Sequence, residues 1–374
     1  GIPAITDKYK RCRAAVDSGV NLVVELPLFY AVSSAEIFAA GAVATLNALN
    51  ASFISFGCEN ADIQMLKKIA ITLVNEPDEY KKHLKKALTC GDSFPTARAK
   101  ALSEFFKSDD ISRLISSPNN ILAIEYIKEI IKSESAVTPV ALTRKISGYH
   151  DNEIHENIAS ASAIRKILHD SGIHKNNDSR CKNIKKLQNV MPEAMYNILA
   201  SESQNNALIY ADDFSSMLNY KISNIFYIAK YNKNACIETL CAYHDINKDL
   251  ACRIYSSFTG CDSFNGFIEK IKTRGFTYSR LSRCLMHIIL DIKKENISQY
   301  ESLPYIRILG FDKKGREYLS QIKKICPVPI ITKAADYKNL LTDDIHAASL
   351  YNQIVYTKSG IINKDEFRQP LYIK

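Results

Sequence analysis

Apolar residues recur with two different periods along the first 170 positions. Some fall in short unbroken runs that stop at turn residues. Asn21 to Leu26 is apolar apart from Glu25 and halts at Pro27, Ser52 to Phe56 ends at Gly57, and Ala136 to Leu142 ends in a polar loop. Runs of this kind suit strands buried on both faces, as in a parallel sheet. Others recur at helical spacing. Asp7 to Ser18 predicts a short helix with Lys8 and Arg11 on one face. Ser33-Ser34-Ala35-Glu36 is a capping box opening a helix to about Leu49, and Ala39, Ala40, Gly41 and Ala42 let that helix lie close to a sheet. Positions 61–74, 77–89 and 96–107 read as helices, and Pro118-Asn119-Asn120 opens another with Ile121, Ile124, Ile127 and Ile131 along its apolar face. Strands alternating with helices predict an open, largely parallel α/β sheet. Ligands of such sheets sit beyond the carboxyl ends of the strands, where Pro27, Gly57 and Arg144 fall.

After a helix from Ser160 to His169 the texture changes. Ser171 to Asn183 is polar and hinge-like, and from Asn183 to about Asn296 the spacing is helical, clearest in Leu208–Tyr231, Asn247–Phe258 and Thr277–Lys293. Ile306 to Leu309 returns as a strand, followed by a basic helix from Lys313 to Ile325 and a short strand from Val328 to Ile331. The expected domains are therefore 1–170, 171–300 and 301–374: an α/β domain, an α-helical domain and a small C-terminal α/β region. There is no internal repeat and no low-complexity segment.

Composition changes this picture little. Of 374 residues, 46% are hydrophobic and 24% charged, which excludes a disordered chain. A net charge of +9 points weakly to a partner bearing phosphates, although an excess of lysine also makes an ordinary solvated surface. The 10 cysteines are scattered without a CxxC pair, and none clusters with histidine at metal-ligand spacing, so they read as free thiols of a cytoplasmic protein. No apolar run approaches a membrane span of ~20 residues, so no membrane partner is expected.

The stretch with most chemistry is Thr143 to Lys166, TRKISGYHDNEIHENIASASAIRK. It leaves a strand, crosses a basic loop and enters a helix at which Ser160 or Ser162 is a natural N-cap. Backbone N–H groups and the helix dipole favour an anion there, and Arg165, one turn in, offers a bidentate grip on phosphate. The plainer reading is a capped helix with a surface arginine. Lys270 to His287, KIKTRGFTYSRLSRCLMH, interleaves Lys272, Arg274, Arg280 and Arg283 with Phe276 and Tyr278. Helical spacing sets Arg280, Arg283 and His287 on one face. Such a mixture suits an RNA backbone and unstacked bases, or a solvated helix over core aromatics. Lys313, Lys314, Arg316, Lys323 and Lys324 form a second basic face, while the lysines at 81, 82, 85 and 86 read as solvated.

Several ordered motifs carry a resemblance. The serine-rich run into Arg165 looks like the ISSTxxR-type second signature of the HxGH nucleotidyltransferase superfamily. Gly1-Ile2-Pro3-Ala4, Gly19 to Pro27 (GVNLVVELP), Phe56-Gly57-Cys58-Glu59-Asn60, Pro118 to Leu122 (PNNIL), Tyr149-His150-Asp151 and Pro304 to Gly310 (PYIRILG) follow in order. Together they resemble the bacterial tRNA(Met) cytidine acetate ligase family across nearly the whole chain.

The resemblance implies a Rossmann-like nucleotidyltransferase sheet over 1–170, a tRNA-binding helical domain and a ligase that uses ATP, with magnesium. Acetate becomes acetyl-adenylate, and the wobble cytidine of elongator tRNA(Met) becomes N4-acetylcytidine. It places catalytic roles on Ser160, Ser162 and Arg165, and ATP contacts on Gly57, Asn119, Arg144 and Lys145. RNA contacts then fall on Lys272, Arg274, Arg280 and Arg283. Read without it, Gly57 is equally a turn glycine, Asn119 an N-cap, and His150 either a phosphate ligand or a partner of Asp151. The superfamily's first signature, an NPFHxGH loop, is not in this sequence, whose 8 histidines nowhere stand in HxGH spacing; the family pattern puts it before Gly1. Two rivals follow: adenylyl transfer to a small cofactor precursor, or a nucleotide- and RNA-binding remnant without turnover.

Overall fold

The computed structural model describes residues 2–92, 94–144, 154–155, 158–173, 184–260, 262–273 and 275–374, with 154, 155, 172, 173, 298 and 299 described in backbone alone. Lys145, His150, Asp151, Arg274 and most of the expected hinge lie outside this set. Two compact units divide the chain: Ser34–Ile167, and Gly1–Ser33 together with Leu168–Lys374. The strands show how each unit is held together. They are β1 (Leu22–Glu25), β2 (Phe53–Cys58), β3 (Thr138–Thr143), β4 (Ile154–His155), β5 (Ile158–Ala159), β6 (Ile306–Phe311), β7 (Ile330–Ile331) and β8 (Tyr372–Ile373).

In the unit 34–167, β2 and β3 run parallel in unbroken register from Phe53↔Thr138 to Cys58↔Thr143. The two short strands β4 and β5 pair antiparallel. The helix Pro118–Lys132 packs between the helices Ala35–Ala48 and Ile63–Asn75 and against β2. Its predicted apolar face is real. Ile124 and Ile127 are buried with Leu66, Ile69, Leu102 and Ile111 in one core, and Ile130 joins Val43, Ile54 and Val137 in another. Ala39 and Gly41 are buried, as small residues on a close-packed helix should be. The expected capping box does not form. Ser34 is the N-cap without a side-chain bond, the Ser33 hydroxyl donates to Phe29 O at 2.5 Å, and Glu36 instead accepts from Lys128 at 3.3 Å. Lys128 also meets the buried Glu125 at 2.6 Å, whose other oxygen takes Arg98 at 3.0 Å. Lys128, held in place by this buried carboxylate, attracts Glu36 more strongly than a backbone N–H of the cap does.

In the other unit β1 is not part of a parallel sheet. It runs antiparallel to β6, with Glu25 opposite Arg307, and β6 in turn takes β7 and β8 as parallel neighbours. Every residue of β6 is buried, so the strand needs cover on both faces and both edges. The helix Lys8–Asp17 supplies part of it. A Cβ on Gly310 would come within 2.6 Å of Cys12 Sγ, so only glycine admits this helix so close to the strand. Charge fixes the rest. Arg307 donates to Glu366 and to Tyr9 Oη (2.9 Å) and faces Glu25 at 3.3 Å, while Lys8 reaches Glu25 at 2.6 Å and Glu366 at 3.1 Å. Beside this cluster Asp344 accepts from Leu28 N at 3.1 Å and from Tyr305 Oη. Burial, then the Glu25 carboxylate, pushes Asp344 up to about 7.

The helix Tyr278–Leu290 runs through the core of this unit, with Leu281, Cys284, Leu285, Ile288 and Ile289 buried. His287 is buried with them. Its Nδ1 lies 2.9 Å from His244 O and its Nε2 2.9 Å from Val32 O. A neutral ring has one N–H, so only the charged ring satisfies both carbonyls. Burial opposes that charge and pulls His287 down to about 4 despite them. No described helix is long and apolar enough to cross a membrane.

Arg307→Ala leaves two buried carboxylates with one lysine between them, and we expect it to destabilise this unit by roughly 3–5 kcal/mol in urea denaturation; a loss below about 1 kcal/mol would refute the network's role. His287 sets a pH dependence. Its folded pKa lies below the unfolded value, so its contribution is complete above about pH 6.5 and falls away as pH drops towards 4. An imidazole resonance titrating near pH 4 checks this, and titration near 6.5 contradicts it.

Candidate functional site

The parallel pair β2–β3 ends at Cys58 and Thr143, and three expected nucleotide residues gather there. Gly57 is exposed on the last turn of pleat, and Arg144 N–H donates to Cys58 O at 2.9 Å, prolonging the ladder by one step. A Cβ on Gly57 would stand 3.4 Å from Arg144 Cγ. The arginine stem thus runs past Gly57 at van der Waals distance from where a side chain would begin. The Cys58 thiol is buried, and burial followed by the Glu59 charge pushes its pKa up, which keeps it unreactive.

Asn119 belongs to the same corner, at the second position of its helix and not at the N-cap. Its Nδ2 donates to Glu59 Oε1 at 2.7 Å, and Asn120 N–H donates to Glu59 Oε2 at 3.2 Å. Asn120 returns the contact: its Oδ1 accepts from the backbone N–H groups of Glu59 (3.0 Å) and Asn60 (3.2 Å), and its Nδ2 donates to Leu114 O at 2.9 Å. Residues 58–60 are thereby clamped to the start of the helix Pro118–Lys132. That helix N-terminus already carries an anion, the Glu59 carboxylate.

Ser160 is the N-cap of the helix Ala161–Ile173. Its Oγ accepts from Ala163 N–H at 2.9 Å and its carbonyl from Ile164 N–H at 3.0 Å. Ser160 is buried in that role, whereas Ser162 is exposed one position into the first turn and Arg165 is partly exposed one turn on. The structure joins Asn119 to Glu59 and lays Arg144 beside Gly57 at the ends of β2 and β3, and sets Ser160, Ser162 and Arg165 on the first turns of the helix after β3.

The expected RNA face is differently disposed. Thr277 caps the helix Tyr278–Leu290, but Arg280 and Arg283 both turn onto Asp245. Arg280 meets its carboxylate at 3.4 Å and its carbonyl at 3.3 Å, and Arg283 Nε donates to the same carboxylate at 3.1 Å. His287, expected on one face with them, is buried as described. The Arg280 guanidinium also sits 5.3 Å from the centre of the Phe276 ring. Lys272 is exposed beside Glu269 at 3.5 Å. Lys313, Lys314, Arg316, Lys323 and Lys324 are all exposed. Among the described residues no group of three His, Cys, Asp or Glu side chains is placed to hold a metal ion.

Sequence reasoning passed over Glu59, Asn120 and Asp245. Glu59 and Asn120 stood inside quoted motifs, so their signal was present. What was missing was that the two motifs touch. Asp245 had no signal, because nothing in the spacing links it to the arginines some 40 positions later.

The family model described as HIGH Nucleotidyl Transferase matches residues 1–366. The chain is 36% identical over 379 residues to the tRNA(Met) cytidine acetate ligase of Clostridium novyi, covering 100% of this chain and 89% of the relative. It is 35% identical to that of a Thermoanaerobacter species, covering 99% and 88%. Its fold superposes on the crystal structure of Thermotoga maritima TmcAL in the apo form with a TM-score of 0.86, at 27% identity over 100% of this chain and 89% of that one. For the same protein bound with alpha-thio ATP the TM-score is 0.84, over 100% and 88% of the two chains.

Asn120→Ala strands two backbone N–H groups and a carbonyl, and should cost about 2–3 kcal/mol of stability. Asn119→Ala, which loses one partly exposed bond, should cost about 1 kcal/mol or less. Denaturation midpoints of the two variants test the order, and equal losses would dismantle the clamp.

Proposed function

Because the chain belongs to the HIGH nucleotidyl transferase family, among its tRNA(Met) cytidine acetate ligases, we propose that it joins acetate to a cytidine of tRNA(Met) with the cleavage of ATP. The observation that supports this most directly is the corner at the ends of β2 and β3, where an exposed glycine, a clamped asparagine and an arginine meet at the edge used for ligands in such sheets.

The chemistry proceeds in two steps. An acetate oxygen attacks the α-phosphorus of ATP, the bond from that phosphorus to the bridging oxygen breaks, and pyrophosphate departs with the electron pair. The N4 amino group of cytidine then attacks the acetyl carbon, AMP leaves, and the nitrogen loses a proton to give N4-acetylcytidine. Negative charge builds on the phosphate oxygens in the first step, so prepositioned donors stabilise its transition state more than its ground state.

Each residue has a part in this reading. Arg144 neutralises phosphate at the strand ends, and Gly57 lets the nucleotide approach the backbone beside it. Asn119 stands at the rim of the nucleoside site, with one amide N–H engaged by Glu59. Arg165 grips phosphate from the first turns of the helix that Ser160 caps, and Ser162 adds a hydroxyl and the N–H groups of that turn. Lys145 lies outside the described residues and keeps only its family-based role, as does Arg274 on the RNA side. Magnesium accompanies ATP. Among the described residues no three His, Cys, Asp or Glu side chains are grouped to hold it; bound with ATP, it would neutralise charge on the phosphate oxygens. The tRNA lies on Lys272 and the exposed lysines about 313–324. Arg280 and Arg283 contribute as a pair already steadied by Asp245.

In the full-length protein, Arg165→Ala should lower ATP affinity by about 30-fold or more, as expected for a lost charge-assisted contact. Calorimetric titration with ATP measures it, and unchanged affinity removes Arg165 from the site. Exchange of labelled pyrophosphate into ATP should require acetate and no tRNA. Exchange driven by some other small acid, with acetate inert, would point to adenylyl transfer to a cofactor precursor.

A further inference from the structure

The helix Ser215–Ile228 packs with Leu218, Ile222, Ile225 and Phe226 towards the core. Its opposite side is unusual for a solvated face. Tyr220 is 69% exposed, Tyr227 71%, and Tyr231 just beyond the helix end 67%. Tyr220 and Tyr227 are seven residues apart and share a face about 10 Å apart along the axis. A surface helix normally carries Lys and Glu at such positions, because exposed aromatic area gains nothing in folding.

Charge and backbone geometry also bear on the end of this helix. Between Asp213 and Glu238 the sequence has no acidic residue and three lysines. Lys221 is tied to Asp291 at 2.5 Å, whereas Lys230 and Lys233 are exposed and have no ion pair among the described residues. The helix ends with Tyr231 N–H on Phe226 O (2.8 Å) and Lys230 N–H on Tyr227 O (2.9 Å), which forces Lys230 (φ 49°) and Tyr231 (φ 56°) into left-handed backbone. Glycine adopts that turn without strain, whereas the Cβ of an L-residue crowds the following carbonyl. The chain keeps a lysine and a tyrosine there instead.

We propose that Tyr220, Tyr227 and Tyr231, flanked by Lys230 and Lys233, are a stacking platform for unpaired bases of the RNA substrate. The proposal rests on the ligase reading, which also narrows the occupant. The N4 group of cytidine is engaged when the base is paired, so the acceptor cytidine must be unpaired, and its neighbours in the same loop are free to unstack. Aromatic faces take such bases regardless of sequence while lysines hold the phosphates between them. A protein partner or a second copy would also cover tyrosines, but a helix without acidic residues, with the exposed Lys230 and Lys233 at its end, favours a polyanion.

The chain has no tryptophan, so Tyr227→Trp makes a single reporter that still stacks. Its emission should be quenched by tRNA(Met) and by a stem-loop carrying the target cytidine, and not by a blunt duplex of the same stem. Tyr227→Ala/Tyr231→Ala should weaken tRNA binding about 10-fold or more. Its salt slope should stay as in the wild type, because no phosphate contact is lost, whereas Lys230→Ala/Lys233→Ala should flatten that slope. Acetate-dependent pyrophosphate exchange, which uses no RNA, controls for folding. Wild-type tRNA affinity in the double tyrosine variant would overturn the proposal. So would equal quenching by duplex, or self-association of the wild type that the variant abolishes. If the wild type shows no acetate-dependent exchange but the stem-loop still quenches the Tyr227→Trp reporter, the ligase reading fails and the platform stands.

Discussion

A buried guanidinium organises the larger unit. Arg307 is almost wholly enclosed, and its charge has to be met by Glu25, Glu366 and the Tyr9 hydroxyl, with Lys8 closing the circuit. An ion taken out of water costs several kcal/mol, and pairing offsets that only when the geometry is right. The cluster therefore acts on register more than on net stability. Slipping β1 by one residue against β6 would turn Glu25 to the opposite face and leave the arginine short of an anion. Residues near position 8, position 25, position 307 and position 366 must come together at once, which draws both ends of the chain into one unit.

The same logic, with less charge, runs through the ligand end of the other unit. Glu59 is answered by the two asparagines at the start of the helix Pro118–Lys132, so the turn after β2 is held by hydrogen bonds and not by a cation. Arg144, whose stem runs beside Gly57, follows directly on the last step of the β2–β3 ladder. Asp245 does the reverse on the helical side. It takes up Arg280 and Arg283, whereas Lys272, Lys313 and Lys314 face solvent. Carboxylates decide which of these basic residues are held in place by the fold.

Core and surface positions are thus interleaved along single elements. Ser160 is buried and uses its oxygen to cap the helix, while Ser162 and Arg165 stay at the surface of the same turn. His287 sits on the helix that looked basic from outside, yet it is a core residue wedged between two carbonyls. Adjacent positions on one element do opposite work because a helix presents a new direction with every residue.

The sequence by itself determined the elements and the relatives. Apolar runs ending at Gly57 and Leu142 marked strands, and isoleucines at helical spacing marked the core face that the helix Pro118–Lys132 buries. The ordered motifs carried the family. These are local or linear signals, and local propensity and periodicity write them directly into the chain. The partner of β1 was not among them. A short, mostly apolar run reads alike for a parallel or an antiparallel neighbour, and the pairing of Glu25 with the distant Arg307 is not written in it. Nor could spacing tell that Asp245 would claim two arginines, that Glu36 would prefer Lys128 to its cap, or that Tyr220 and Tyr227 would face water. Those outcomes depend on which buried charges and apolar faces meet in space, and that is a property of the tertiary structure alone.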